Sequence, residues 1–220
     1  MARPTKPLIS RSTAIAAALE IIDAEGLDAL SLPRLAAQLN VRAPSLYYHF
    51  RDKAAILEAV ARSIVAEIAV PRKPDPSRWP EWFVQMSLNF RTVVLRHRNA
   101  APLLLQFRPR LILTGYEEAA AFLSESDVPA QLHVLILDGM ETLTLGATIT
   151  EAMRPLQASK TIFPDLAPSR QPHLAAAVAA NNLTSRRLFA EMIRGFLRGV
   201  VELDAERTGE PVSALPAALR

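Results

Sequence analysis

Twelve residues, Arg42 to Lys53, hold the side chains best suited to chemistry in this chain: Arg42, Ser45, Tyr47, Tyr48, His49 and Lys53. That chemistry is recognition rather than catalysis. Arg42 can reach guanine or a phosphate, Ser45 a base edge or a phosphate, and the Ala43 methyl and Pro44 ring can touch thymine methyls. Leu46 and Phe50 are apolar at i and i+4, so they pack inward with Val41. Arg42, Ala43, Pro44, Ser45, Tyr47, Tyr48 and His49 are then left to face a duplex. The signatures of bond-making are absent. The four histidines, His49, His97, His133 and His173, are scattered, and none has a metal-ligand spacing such as HExxH. There is no glycine-rich phosphate loop and no nucleophile elbow. Glu117, Glu118, Asp138 and Glu141 read as helix surface or as ion-pair partners. No catalytic residue, metal ligand or cofactor is expected.

The segment that positions these side chains is Leu30–Lys53, LSLPRLAAQLNVRAPSLYYHFRDK. Leu32, Leu35 and Leu39 recur at helical spacing. Ser31 is a plausible N-cap and Pro33 falls in the first turn, where a missing N–H costs little. Asn40 tolerates the left-handed conformation that ends a helix. A second helix starts near Ala43-Pro44 and carries Ser45 to His49. Two helices joined by a turn of about four residues form a helix-turn-helix, whose second helix lies in the DNA major groove.

The remaining chain reads as all-α. It has 220 residues, half of them hydrophobic and 21% charged, which suits a folded protein with a sizeable core. Helices are expected over 10–24 (inward stripe Ile15, Leu19, Ile22), 53–69, 80–97, 102–107, 111–124, 129–153, 173–180 and 185–206. Gly26 ends the first of these. Residues 71–80, PRKPDPSRWP, contain four prolines and mark a break. A long loop over 154–172 and a frayed tail after Thr208 complete the outline. The expected architecture is an N-terminal three-helix DNA-binding domain, 1–52, and a larger helical effector-binding and dimerisation domain, 53–220, with the helix over 53–69 connecting them. No apolar run approaches the ~18 residues of a membrane span. The basic N-terminus has no apolar signal core behind it and there is no cysteine, so a cytoplasmic location is expected. The net charge is only +3, but residues 1–19 hold Arg3, Lys6 and Arg11 and no acid. They read either as a basic arm that meets phosphates or as a solvated tail.

Two helices are apolar around much of their circumference. The helix over 129–153 carries Leu132, Leu135, Ile136, Met140, Leu143 and Leu145. The last carries Leu188, Phe189, Met192, Ile193, Phe196, Leu197, Val200 and Val201. Such helices are buried on more than one side. One side packs within the subunit and the other suggests a four-helix bundle across a homodimer; the alternative is two central core helices.

At LAAQLNVRAPSLYYHFRDKAAILEAV the sequence resembles the DNA-binding domain of the tetracycline-repressor (TetR) family. Carrying the resemblance are the Leu-Ala pair before the turn, Val41, Leu46-Tyr47, His49-Phe50 and Lys53 opening a long apolar helix. More loosely, Trp79 with Phe83, Asn89-Phe90-Arg91, Leu95 to Arg98, Arg108-Pro109 and Thr144-Leu145-Gly146 resemble the ligand-binding domain of the tetracycline-responsive members. The resemblance implies a homodimer that binds a palindromic double-stranded operator and is released by a small-molecule effector, most often as a repressor, with activation the alternative. It makes Tyr47 a phosphate contact, sets Tyr48 and His49 against backbone and base edges, and gives Lys53 a phosphate at a helix N-terminus. The alternative for Tyr47 is a partly buried domain aromatic. Pro33 stands where tetracycline-responsive members carry a base-reading arginine, so the operator should differ, although Arg34 could reach a phosphate.

The effector positions depart further. The magnesium-touching histidine falls on Leu104, the drug-contacting asparagine on Met86, a further histidine on Thr142, and a magnesium-shell acid on Thr150 with Glu151 beside it. A tetracycline–magnesium ligand is therefore not expected. Met86, Phe90, Leu104, Phe107, Met140 and Leu143 would line an apolar cavity, with Asn89 and Thr142 as polar contacts; the alternative is that they are filled core. The rival to a regulator is a protein-binding helical module. Against it stand Tyr47, Tyr48, His49 and Lys53, which together make little sense on a surface that never meets DNA.

Overall fold

The computed structural model describes residues 9–107, 113–126, 128–155, 162–163 and 165–209. Arg3, Lys6 and the Arg108-Pro109 pair lie outside the described residues. The described residues are helical, without a strand, in the order α1 (Arg11–Glu25), α2 (Leu32–Gln38), α3 (Pro44–Tyr47), α4 (Lys53–Ala66), α5 (Trp79–Arg96), α6 (Pro102–Gln106), α7 (Leu113–Ser124), α8 (Ala130–Ala152), α9 (Pro172–Ala180) and α10 (Ser185–Thr208). Backbone contacts divide the chain into two compact units, Met1–Ala69 with Thr92–Leu113, and Val70–Arg91 with Thr114–Arg220.

In the first unit, capping chemistry sets the helix boundaries. The Ser10 hydroxyl accepts from the Thr13 amide at 3.0 Å and starts α1. Gly26, at φ 91°, ends it by donating its amide to the Ile22 carbonyl. The buried face of α1 is Ala14, Ala17, Ala18, Ile21 and Ile22. Ile15 and Leu19, expected on the inward stripe, are only half-buried. Alanines occupy the contact because small side chains let neighbouring helix axes approach closely. α1 packs on α2 and α4, and α6 packs on α4. His97, just past α5, is buried with Nδ1 2.7 Å from Asp23 and Nε2 3.2 Å from Glu67, while Asn99 donates to the Asp23 carbonyl at 2.9 Å. These bonds tie α1, the end of α4 and the turn into α6 together.

The second unit is built on aromatic packing and one buried polar seam. Trp79, Trp82, Phe83 and Phe122 meet edge to face, with ring centroids 5.0–5.9 Å apart. The Trp82 indole donates to the Pro71 carbonyl at 3.0 Å, which holds the proline-rich segment against α5. α8 packs along α10, and a methyl at Gly139 would overlap the Phe196 ring, so glycine permits that approach. Between α5 and α8, Ser87 and Thr144 share a hydrogen bond of 2.9 Å. One turn on, Arg91 grips Glu151 through two bonds of 2.8 and 2.5 Å. Both partners are nearly buried, so this is a desolvated, bidentate ion pair.

α8 corrects one expectation. Its 23 residues include an 18-residue window of mean hydropathy 1.3, long and apolar enough by those measures to cross a membrane. Its threonines and glycines interrupt an apolar run but weigh little in a mean. Its packing along α10 makes it a helix of the second unit's core.

Candidate nucleic-acid interface and effector core

The helix-turn-helix is assembled by local hydrogen bonds. The Ser31 hydroxyl accepts from the Arg34 amide at 3.2 Å and starts α2, with Pro33 in its first turn. Asn40 is the non-glycine residue with positive φ, 53°, among the described residues, and the chain reverses there, with the Val41 amide bonded to the Ala36 carbonyl at 3.0 Å. α3 is shorter than the sequence suggests. It ends at Tyr47, and the chain continues as turns, in which the His49 and Phe50 amides both bond the Leu46 carbonyl at 2.9 Å. Tyr48 and His49 thus lie just past the helix.

The apolar residues fix which face looks outward. Leu35 and Leu46 are fully buried and Phe50 is 2% exposed, while Leu32, Leu39 and Val41 are half-buried. Opposite them, Tyr47 is 56% and Tyr48 86% exposed, and Arg42, Pro44 and Lys53 are exposed too. Ala43, Ser45 and His49 are half-buried at the edge of this surface, and the His49 ring meets Tyr48 edge-on at 5.4 Å. One face of the first unit therefore carries two aromatic phenols, an imidazole and two cations on an apolar base.

Three residues that sequence reasoning passed over or misjudged shape this face. Asp52 caps α4, accepting from the Ala55 amide at 2.7 Å, and so fixes the turn that presents Lys53. An aspartate just ahead of an apolar run is a recognisable start signal. Arg34 is not a free cation, because its guanidinium pairs with Glu25 at 2.7 Å and bonds Gln38 at 3.0 Å. Arg11, counted with the basic arm, turns back onto the domain. It donates to the His49 carbonyl at 2.8 Å and stacks 4.5 Å over the Phe50 ring. No sequence signal links residues 38 positions apart.

The expected effector residues divide between the units. Leu104 is buried on α6 and Phe107 half-buried at its end, both in the first unit. In the second, Met140 lies in the apolar core, Met86 and Leu143 pack against it, and Phe90 is half-buried. Asn89 accepts from Gln85 at 2.7 Å, and Thr142 is exposed. A groove of about 480 Å³ runs instead between α5 and the start of α10, lined by Leu88, Thr184, Arg186, Arg187, Ala190, Glu191 and Arg194. None of the eight expected residues lines it.

Comparison with known proteins places this geometry. The family model for bacterial regulatory proteins of the tetR family matches residues 14–60, the segment from α1 through the first half of α4. The chain is 29% identical over 210 residues to the class A tetracycline repressor protein from transposon 1721 of Escherichia coli, covering 86% of this chain and 96% of that one. Among solved structures, it superimposes on the Streptomyces coelicolor TetR family protein ActR in complex with (S)-DNPA with a TM-score of 0.71 and 27% identity, covering 90% of this chain and 99% of the other. The same protein in complex with actinorhodin gives a TM-score of 0.69 at 25% identity, covering 88% and 97%. Residues 14–60 therefore match the DNA-binding domain of the tetR family of bacterial regulatory proteins, and almost the whole chain is similar to TetR-family regulators of transcription.

Proposed function

We propose that the chain is a homodimeric, cytoplasmic repressor that binds a palindromic operator and is released by a small, largely apolar effector. The observation that carries the DNA assignment is the sorting of residues around α3. Leu46 and Phe50 are inward, while Tyr47 and Tyr48 stand 56% and 86% exposed beside Arg42 and Lys53. Exposed aromatics on a polar, cationic face suit contacts to phosphate, sugar and base edges. In this reading Arg42, Ala43, Pro44, Ser45, Tyr48 and His49 meet bases and backbone, Tyr47 a phosphate, and Lys53 a phosphate at the N-terminus of α4. Residues 1–52 are the DNA-binding part and 53–220 the effector-binding and dimerising part.

Dimerisation is supported by apolar side chains left uncovered on α8 and α10: Val134 and Leu135 on one, Met192 and Leu203 on the other. Exposed apolar residues grouped on two packed helices mark an interaction surface. For the effector, the apolar set Met86, Phe90, Met140 and Leu143 in the second unit favours an apolar ligand. Leu104 and Phe107 on and after α6 are a further apolar pair. Glu151, the acid nearest the lost magnesium-shell position, is committed to Arg91, which argues against a metal chelate. The two ActR complexes establish that a relative takes small molecules.

The test is selection of bound duplexes from a random pool, followed by a ligand screen on the selected duplex. An enriched inverted repeat that apolar compounds release, without magnesium, supports the proposal. Magnesium-dependent release by tetracycline at low micromolar concentration overturns the effector assignment.

A further inference from the structure

We propose that Arg11 is a positioning residue for DNA recognition: it holds the exit of the recognition helix so that Tyr48, His49 and Lys53 meet DNA in register, without touching DNA through its own charge. α3 spans only Pro44–Tyr47, and the carbonyls past a helix end lack helical partners. Tyr48, His49 and the approach to α4 are therefore held by turns, in a part of the domain where a small rotation would displace every exposed side chain. Arg11 makes two contacts at that point. Its Nη1 donates to the His49 carbonyl at 2.8 Å, and its guanidinium lies 4.5 Å over Phe50, the inward anchor of the same turn. The planar fork suits both tasks at once, since it can donate at its edge while stacking by its face. A lysine could supply the charge but not the pair of contacts.

Arg11 is the first residue of α1, whose start is fixed by the Ser10 cap and whose buried face runs from Ala14 to Ile22. The contact thus ties the recognition turn to a helix that packs on both α2 and α4. Asp52 does the same from the other side by capping α4. Between them, the five residues 48–52 are fastened at both ends.

This inference rests on reading residues 42–53 as the DNA-facing surface. It is tested by fluorescence anisotropy on the duplex that the native protein selects from a random pool, over a salt series, with Arg11→Ala, Arg11→Gln, Arg11→Lys, Lys53→Ala and Arg62→Ala. Arg62 is an exposed α4 residue paired with Glu58 and serves as the control. Arg11→Ala is expected to weaken binding at least tenfold and to leave the slope of log K against log salt unchanged, whereas Lys53→Ala lowers that slope by about one unit. Arg11→Lys is expected not to recover the affinity. The duplexes selected by Arg11→Ala should lose base preference where the native protein is selective, which a merely weaker fold would not cause. Thermal melts identify any variant that fails to fold, in which case Arg11→Gln, which keeps an uncharged donor, replaces Arg11→Ala. A slope reduced by one and restored by Arg11→Lys would make Arg11 a direct phosphate contact and overturn the proposal, as would unchanged affinity. If Lys53→Ala also leaves binding unchanged, the underlying interface assignment has failed as well.

Discussion

The Arg91–Glu151 pair gives the most decisive stability experiment, because breaking it and replacing it have opposite expected outcomes. Both side chains are close to fully buried, 11% and 13% exposed, and two hydrogen bonds of 2.8 and 2.5 Å join them. Removing Glu151 leaves the Arg91 charge desolvated without its carboxylate, which costs about 3–5 kcal/mol. The residual exposure places the loss near about 3 kcal/mol, since water can reach the stranded group. Replacing both by apolar residues of similar volume, Arg91→Met with Glu151→Leu, removes both charges and is expected to stay within about 1 kcal/mol of the native chain. The assay is urea unfolding followed by circular dichroism at one fixed protein concentration, because dimerisation would make apparent stability depend on it. With m of about 2 kcal/mol/M, Glu151→Leu alone lowers the midpoint by about 1.5 M, and the double variant by less than about 0.5 M. If Glu151→Leu alone moves the midpoint by less than about 0.3 M, the pair is not the desolvated contact described and the reasoning fails. The experiment also bears on the effector, since a Glu151 needed by Arg91 is not available as a metal ligand.

Tyr47→Ala should weaken operator binding with little change in melting temperature, because the ring is exposed rather than packed; an unchanged gel shift would remove Tyr47 from the interface. Leu135→Asp combined with Met192→Asp should give a folded monomer by sedimentation at micromolar concentration, and persistence of a dimer would place the interface elsewhere. Gly139→Ala should destabilise by about 1–3 kcal/mol, because its methyl meets the Phe196 ring, and Phe196→Leu should recover part of the loss. Without that recovery, the α8–α10 contact is not the cause.

The helices were legible because their ends carry local chemistry. Ser10 and Ser31 at N-caps, Gly26 and Asn40 at left-handed exits, and the prolines at 71–80 mark boundaries that need no tertiary information. The inward and outward sets around α3 were equally readable, since Leu46 and Phe50 at i and i+4 leave the other side chains no choice of face. What misled was size. Ile15 and Leu19 are only half-buried, while the buried face of α1 is three alanines with Ile21 and Ile22. The length of α3 was overestimated because turns that share one carbonyl, Leu46, prolong a helical pattern without being helix. Long-range polar pairs were invisible. Arg11 with His49, Asp23 with His97 and Arg91 with Glu151 join residues 38, 74 and 60 positions apart, and nothing in the local sequence announces a partner at such distance. The candidate effector residues were the least legible part, because apolar pocket walls and apolar core are written in the same residues.

The central claim is that two copies of the Arg42–Lys53 surface read one symmetric site. Selection of duplexes from a random pool by the full-length chain tests it most directly. Enrichment of an inverted repeat whose half-site centres lie about one helical turn apart, roughly 34 Å, is the expected result, and its loss with Lys53→Ala would tie it to this surface. No enrichment, or a single asymmetric site bound equally well by Lys53→Ala, would contradict it.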